Sequence, residues 1–133
     1  METKDKMPAY LKLVSPQKAD ELSERIVKML FVQKRYKEKS FSAKRLAEEL
    51  GTNTRYVSIV LSTRFHSNYN SLVNKLRIDE AMSIIADKRY QDLKIQDISD
   101  MVGFANRQSF YNAFCKIAKT TPLQYKSRFS DND

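Results

Sequence analysis

Leucine, isoleucine, valine and methionine recur along this chain at intervals of three and four residues, the spacing of amphipathic helices, and no segment shows the alternation of a strand. With only two glycines and three prolines to interrupt it, the pattern predicts an all-α fold of about seven helices. Residues 1–14 read as an extended lead-in. Ser15 is placed to cap, and Pro16 to open, a helix that carries Leu22, Ile26, Met29 and Leu30 on one face. That helix is expected to fade near Lys37, and residues 15–39 to pack on the unit that follows. The charged run over 33–39 reads as a solvated helix end.

An internal repeat is the most informative feature. Phe41, Ser42, Leu46, Leu50 and Gly51 return as Leu93, Lys94, Ile98, Val102 and Gly103, each 52 positions later. In both copies an apolar residue precedes a short helix and another follows five positions on, as in a hydrophobic staple, and glycine stands where the helix should end. Ser42 is a good cap; Lys94 is not. Asn53 and Asn106 can then cap a second helix, over 54–64 and 107–118. Its apolar face is Val57, Val60 and Leu61 in one copy and Phe110, Phe114, Ile117 and Ala118 in the other. Each copy predicts helix, tight turn, helix: residues 40–68 and residues 93–130.

Residues 69–92 join the copies. Leu72, Val73, Leu76, Met82, Ile84 and Ile85 make residues 69–87 a largely buried linker helix, about 28 Å long at 1.5 Å per residue, near the roughly 34 Å between successive major-groove faces of B-DNA. Thr121 and Pro122 open a short last helix with Leu123, Tyr125 and Phe129, expected to pack beneath the second unit.

Charge narrows the class of partner. Twenty-four Lys and Arg against 16 Asp and Glu leave a net +8, which favours a polyanion. The acids avoid both second helices: none occurs over 51–78 or over 103–130, although four cations fall in the first segment and five in the second. A carboxylate there would oppose phosphate at short range, so these segments fit a surface turned toward double-stranded DNA. In a helix-turn-helix the second helix reads base edges. Its outward positions are expected to be Arg55, Ser58, Ile59 and Ser62 in the first unit, and Arg107, Gln108, Tyr111 and Asn112 in the second. Arginine grips guanine, glutamine and asparagine pair with adenine, and an aliphatic group rests on a thymine methyl. Ser42, Lys44 and Thr54, with Lys94, Lys116 and Thr121, are the expected phosphate anchors.

Other classes have little support. One cysteine, Cys115, and one histidine, His66, fall short of a metal set and lie in different units with no spaced partner, so neither metal, cofactor nor catalysis is expected. No run is apolar enough to span a bilayer and the start lacks a signal peptide, so a cytoplasmic protein without membrane contact is expected. The alternative, a helical protein-interaction module, would need an exposed apolar stripe in place of the acid-free polar faces.

The second unit, IQDISDMVGFANRQSFYNAF followed by TTPLQY, resembles the signature of the AraC/XylS family of bacterial transcription regulators. Ile98, Gly103, Phe104, Asn106, Phe110, Phe114, Pro122 and Tyr125 stand in the family's order. The first unit agrees through Leu46, Ala47, Leu50, Gly51, Tyr56, Val57 and Ser58, and the linker through Leu76, Arg77 and Ala81. The resemblance covers about residues 40–129. It implies two homeodomain-like helix-turn-helix subdomains on a long linker helix, binding promoter DNA and activating transcription through contact with RNA polymerase. It also implies a sensor or dimerisation domain upstream. Three positions depart from the family's pattern: Lys119 where glycine is usual, Cys115 where lysine is common, and Ile59 where a polar reader often sits.

Overall fold

The computed structural model describes residues 13–129; of the lead-in expected over 1–14, only residues 13 and 14 lie among them. Seven α-helices are described: α1 (Pro16–Val27), α2 (Ala43–Glu49), α3 (Thr54–Arg64), α4 (Tyr69–Ala86), α5 (Ile95–Val102), α6 (Arg107–Ala118) and α7 (Pro122–Ser127). They fall into two compact units: the first takes the described chain up to Lys34 and Phe41–Leu72, the second Arg35–Ser40 and the chain from Val73 onward.

In the first unit α1 starts as its sequence dictates. The Ser15 hydroxyl accepts from the Lys18 amide at 3.1 Å and Pro16 takes the first position, where its missing N–H costs nothing. Leu22, Ile26 and Leu30, four apart, are wholly buried. α1 is bound to the neighbouring helices at two places. The Arg25 guanidinium donates to the Glu49 and Leu50 carbonyls, both at 3.1 Å, which serves the otherwise open C-terminal end of α2. Arg64, at the end of α3, pairs with Asp20 and donates to the Pro16 carbonyl at 3.2 Å.

The first helix does not run to Lys37. It widens into a π-helical turn over Lys28–Val32, and the backbone then reverses at Lys34 with a φ of +54°. The next six residues belong to the second unit. Tyr36 is buried there, Lys37 pairs with Glu80 at 3.1 Å, and Lys39 pairs with Asp100 at 2.9 Å, holding the Asp100 carboxyl below its usual range. The charged run is thus only partly a solvated helix end: ion pairs recruit its second half to the other unit.

The core of the second unit gathers Ile78, Ala81, Ile84 and Ile85 of α4 with Ile98 and Val102 of α5 and with Phe104, Phe110, Ala113 and Phe114. A series of ring contacts runs Phe104, Phe110, Phe114, Tyr125, Phe129, with centroids 5.1–5.8 Å apart. Such tilted and edge-on pairs add to area burial, and they carry α7 onto α6 as expected. The Lys126 ammonium donates to the Gln91 and Leu93 carbonyls at 3.1 and 2.7 Å, pinning the connection that leads into α5.

Candidate nucleic-acid interface

The two copies of the repeat end their first helices in the same way. After α2 the Gly51 amide donates to the Glu48 carbonyl at 3.1 Å and the Thr52 amide to Ala47 at 2.9 Å. After α5 the Gly103 and Phe104 amides donate to Asp100 and Ser99, both at 3.2 Å. This is the paired closure of a helix end that needs a left-handed residue, and the glycines have φ of +73° and +102°. The starts differ. Ser42 caps α2 through the Arg45 amide, whereas Lys94 has no acceptor to offer, and Asp97 instead reaches back to the Lys94 amide at 3.0 Å.

Asn53 and Asn106 cap α3 and α6 through the amides of Tyr56 and Ser109, at 2.9 and 2.8 Å. The repeat then continues further than the sequence pattern disclosed. Asn68 caps α4 through the Ser71 amide at 2.9 Å, and Thr121, 53 positions later, caps α7 through the Gln124 amide at 3.1 Å. The same offset of 53 separates Asn53 from Asn106. Each copy is therefore three helices, with the capped start of the third beside the second.

A crevice follows α3, with a volume of about 970 Å³. Thr54, Arg55, Ser58 and Ser62 line it with His66, Ser67, Asn68 and Ser71 from the start of α4 and the turn before it. His66 holds a left-handed φ of +53°, which turns the chain from α3 into α4. None of the four residues beyond α3 was expected at a site; the asparagine cap 53 positions before Thr121 is the signal that points to them. Ser42 and Lys44 are exposed at the start of α2 but lie outside this crevice.

Ile59, which also borders this crevice, does not take the outward position expected of it. It is 3% exposed, part of the core with Val57, Val60 and Leu61. α3 packs against both α1 and α2, so more of its circumference is covered than a two-helix motif leaves open. The equivalent position in the second unit, Asn112, is exposed.

Beside α6 a second crevice, of about 710 Å³, joins Arg107 and Tyr111 to Lys94, Ile95, Thr121 and Leu123. Gln108 and Asn112 are exposed on α6 outside it, bridged by a hydrogen bond of 2.8 Å from Gln108 Nε2 to Asn112 Oδ1. Lys116 is exposed further along the helix, also outside the crevice. The neighbouring Cys115 side chain, one turn on, raises the Tyr111 phenol pKa.

Cations divide by role. Arg64, Arg77 and Lys126 bind partners within their own units: Arg64 binds Asp20, Arg77 donates to the Tyr36 carbonyl at 2.8 Å, and Lys126 holds two carbonyls. Lys75 pairs with Asp79 at 2.7 Å. Lys44, Arg55, Lys94, Arg107 and Lys116 are all exposed and make no ion pair with any described acid. The fold leaves a positive surface on and around α3 and α6.

A family model described as a helix-turn-helix domain, of the AraC type, matches residues 46–128. The chain belongs to the AraC-type helix-turn-helix family. Among curated proteins no match is found. Solved structures share the fold. The C-terminal domain of the two-component response regulator yesN from Fusobacterium nucleatum is 23% identical with a TM-score of 0.68, over 78% of this chain and 98% of that one. The C-terminal domain of AraT, a response regulator from Geobacillus stearothermophilus, is 21% identical with a TM-score of 0.74, over 91% and 92%. An AraC-type transcriptional regulator from Chromobacterium violaceum is 15% identical with a TM-score of 0.59, over 70% and 80%. Membership of this DNA-binding family explains the acid-free segments, and none of the described helices is long and apolar enough to cross a membrane.

Proposed function

We propose that this chain is the sequence-specific, double-stranded-DNA-binding module of a bacterial transcription regulator, each unit placing one recognition helix in a major groove. α3 reads with Arg55, Ser58 and Ser62, and α6 with Arg107, Gln108, Tyr111 and Asn112. Ser42, Lys44, Thr54, Lys94, Lys116 and Thr121 hold phosphates. Ser42 and Thr121 already accept hydrogen bonds as caps, and their hydroxyl hydrogens remain to donate. The observation that carries this reading is that exposed cations without acidic partners, Lys44, Arg55, Lys94, Arg107 and Lys116, stand on and beside the two capped reading helices, while residues 51–78 and 103–130 hold no acid at all. Two structures of similar fold are C-terminal domains of response regulators. A place downstream of a receiving domain, and action at promoters as an activator that touches RNA polymerase, complete the proposal.

Enrichment of bound duplexes from a random pool tests it. A bipartite motif should emerge, Arg107→Ala should degrade one half only, and Arg55→Ala the other. Affinity should fall steeply with salt, with a log–log slope near −0.9 for each phosphate neutralised. Salt-independent binding, or no retention at low salt, would overturn the reading.

A further inference from the structure

The crevices beside the two reading helices differ in chemistry. Beside α3 the lining is mixed, hydroxyl, amide, imidazole and guanidinium groups predominating over the hydrocarbon of Ala43, Ile59 and Tyr69. Beside α6 the lining is mostly hydrocarbon: Leu93, Ile95, Phe110, Tyr111, Pro122 and Leu123. Leu123 is 70% exposed and Tyr111 46%, so this apolar surface is open and not core. Lys94 and Arg107 stand on its border, with Asp92 as the one acid among its lining residues.

On α6 itself the outward side chains form two strips. Gln108 and Asn112 make a hydrogen-bonded amide pair outside the crevice. Arg107, Tyr111 and Cys115 follow one another at intervals of four, so they share a face. Tyr111 lines the crevice and is half exposed, so its ring is available on this face. In the major groove the 5-methyl of thymine is the apolar feature that base edges present, and sugars provide the other hydrocarbon along a strand.

Resting on the DNA-binding reading above, we propose that the second unit is a thymine reader: Tyr111 packs on a thymine 5-methyl, and Leu123 covers a deoxyribose of the neighbouring backbone. The first unit, whose crevice beside α3 exposes more polar than apolar surface, reads chiefly hydrogen-bonding groups. Tyr111 is thus a specificity-determining residue, and the border cations Lys94 and Arg107 draw the strand over an apolar floor.

The test uses the whole chain and a duplex enriched from the random pool. Deoxyuridine replaces thymine in one half-site and then in the other, which removes the methyl and nothing else. In the half that Arg107→Ala degrades, binding should weaken about fourfold for each contacted methyl; in the other half it should hold. Tyr111→Ser should bind thymine and uracil duplexes alike, Tyr111→Phe should keep the preference, and Leu123→Ser should weaken both equally. Equal binding of thymine and uracil duplexes by the unaltered chain, or a preference that survives in Tyr111→Ser, overturns the proposal while selective DNA binding stands. If no duplex is enriched at all, both readings fall together.

Discussion

The backbone of Tyr36 lies directly against Gly103, so a β-carbon on that glycine would collide with the Tyr36 carbonyl oxygen and come within 2.9 Å of the Lys37 carbonyl. The same Tyr36 oxygen accepts from Arg77 Nε at 2.8 Å, which fixes it in place. Gly51, the matching residue of the first unit, has open space at the corresponding point. Equal positions in the repeat thus carry unequal constraints. Gly51→Ala should cost about 1 kcal/mol for its left-handed φ alone, whereas Gly103→Ala adds overpacking against fixed backbone and should cost about 2–5 kcal/mol. Denaturant titration of the two variants measures the difference; equal losses would show that the Tyr36 segment yields easily.

Lys119 closes α6 with a φ of +62°, its amide donating to the Cys115 carbonyl at 3.0 Å. A β-carbon is strained there, and glycine is what the resemblance leads one to expect. Lys119→Gly should raise stability by up to about 1 kcal/mol, visible as a higher melting temperature. A fall would mean that the lysine side chain supports the helix end by more than its strain.

Ser99 is wholly buried in α5 and its hydroxyl has no hydrogen-bond partner. Its counterpart 52 positions earlier is Ala47, 2% exposed. The site needs a small residue where two helices approach, and the hydroxyl only adds desolvation. Ser99→Ala should stabilise the second unit by about 1 kcal/mol, read by denaturant unfolding; a clear loss would show that the hydroxyl is satisfied in solution.

Burial and, after it, the carboxylates of Glu80 and Asp79 push the Tyr36 phenol up from 10.0 to about 12. A pKa higher in the folded than in the unfolded chain favours folding by an amount fully present below pH 10, then lost as pH rises through 12. Stability followed from pH 9 to 12 should therefore fall more steeply for the parent chain than for Tyr36→Phe. Parallel curves would show that Tyr36 ionises as freely in the fold as outside it.

Much of this was legible in the sequence, because its signals are local. Caps at Ser15, Asn53, Asn106 and Thr121, turns at Gly51 and Gly103, and the helices between them follow from short-range chemistry. Ile59 was not, since a helical wheel gives the face of a residue but not which neighbours arrive from elsewhere in the chain. α1 comes from outside the repeat, and the helix it packs on, α3, buries Ile59 as well as its inward face. The departure of residues 35–40 to the second unit was hidden for the same reason: Lys37 and Lys39 find Glu80 and Asp100 across 43 and 61 positions.

Ile59→Arg separates the two views of that residue. As a surface reader it would tighten DNA binding; as core it should lower stability by about 2–5 kcal/mol, since a guanidinium replaces a buried side chain without a partner. Thermal unfolding should show the loss. An unchanged melting temperature with tighter binding would restore Ile59 to the reading face.

The docking of Arg35–Ser40 makes the two units inseparable as lengths of chain. Neither is contiguous: the thread leaves one, contributes six residues to the other, and returns before the first repeat begins. A gene fragment cut at the start of the motif match, residue 46, would take the second copy without the backbone that seats Gly103. With the chain divided in this way, the second copy cannot be moved into another chain by itself without losing the Tyr36 backbone that its glycine is fitted to. What can be transplanted whole is the interlaced pair.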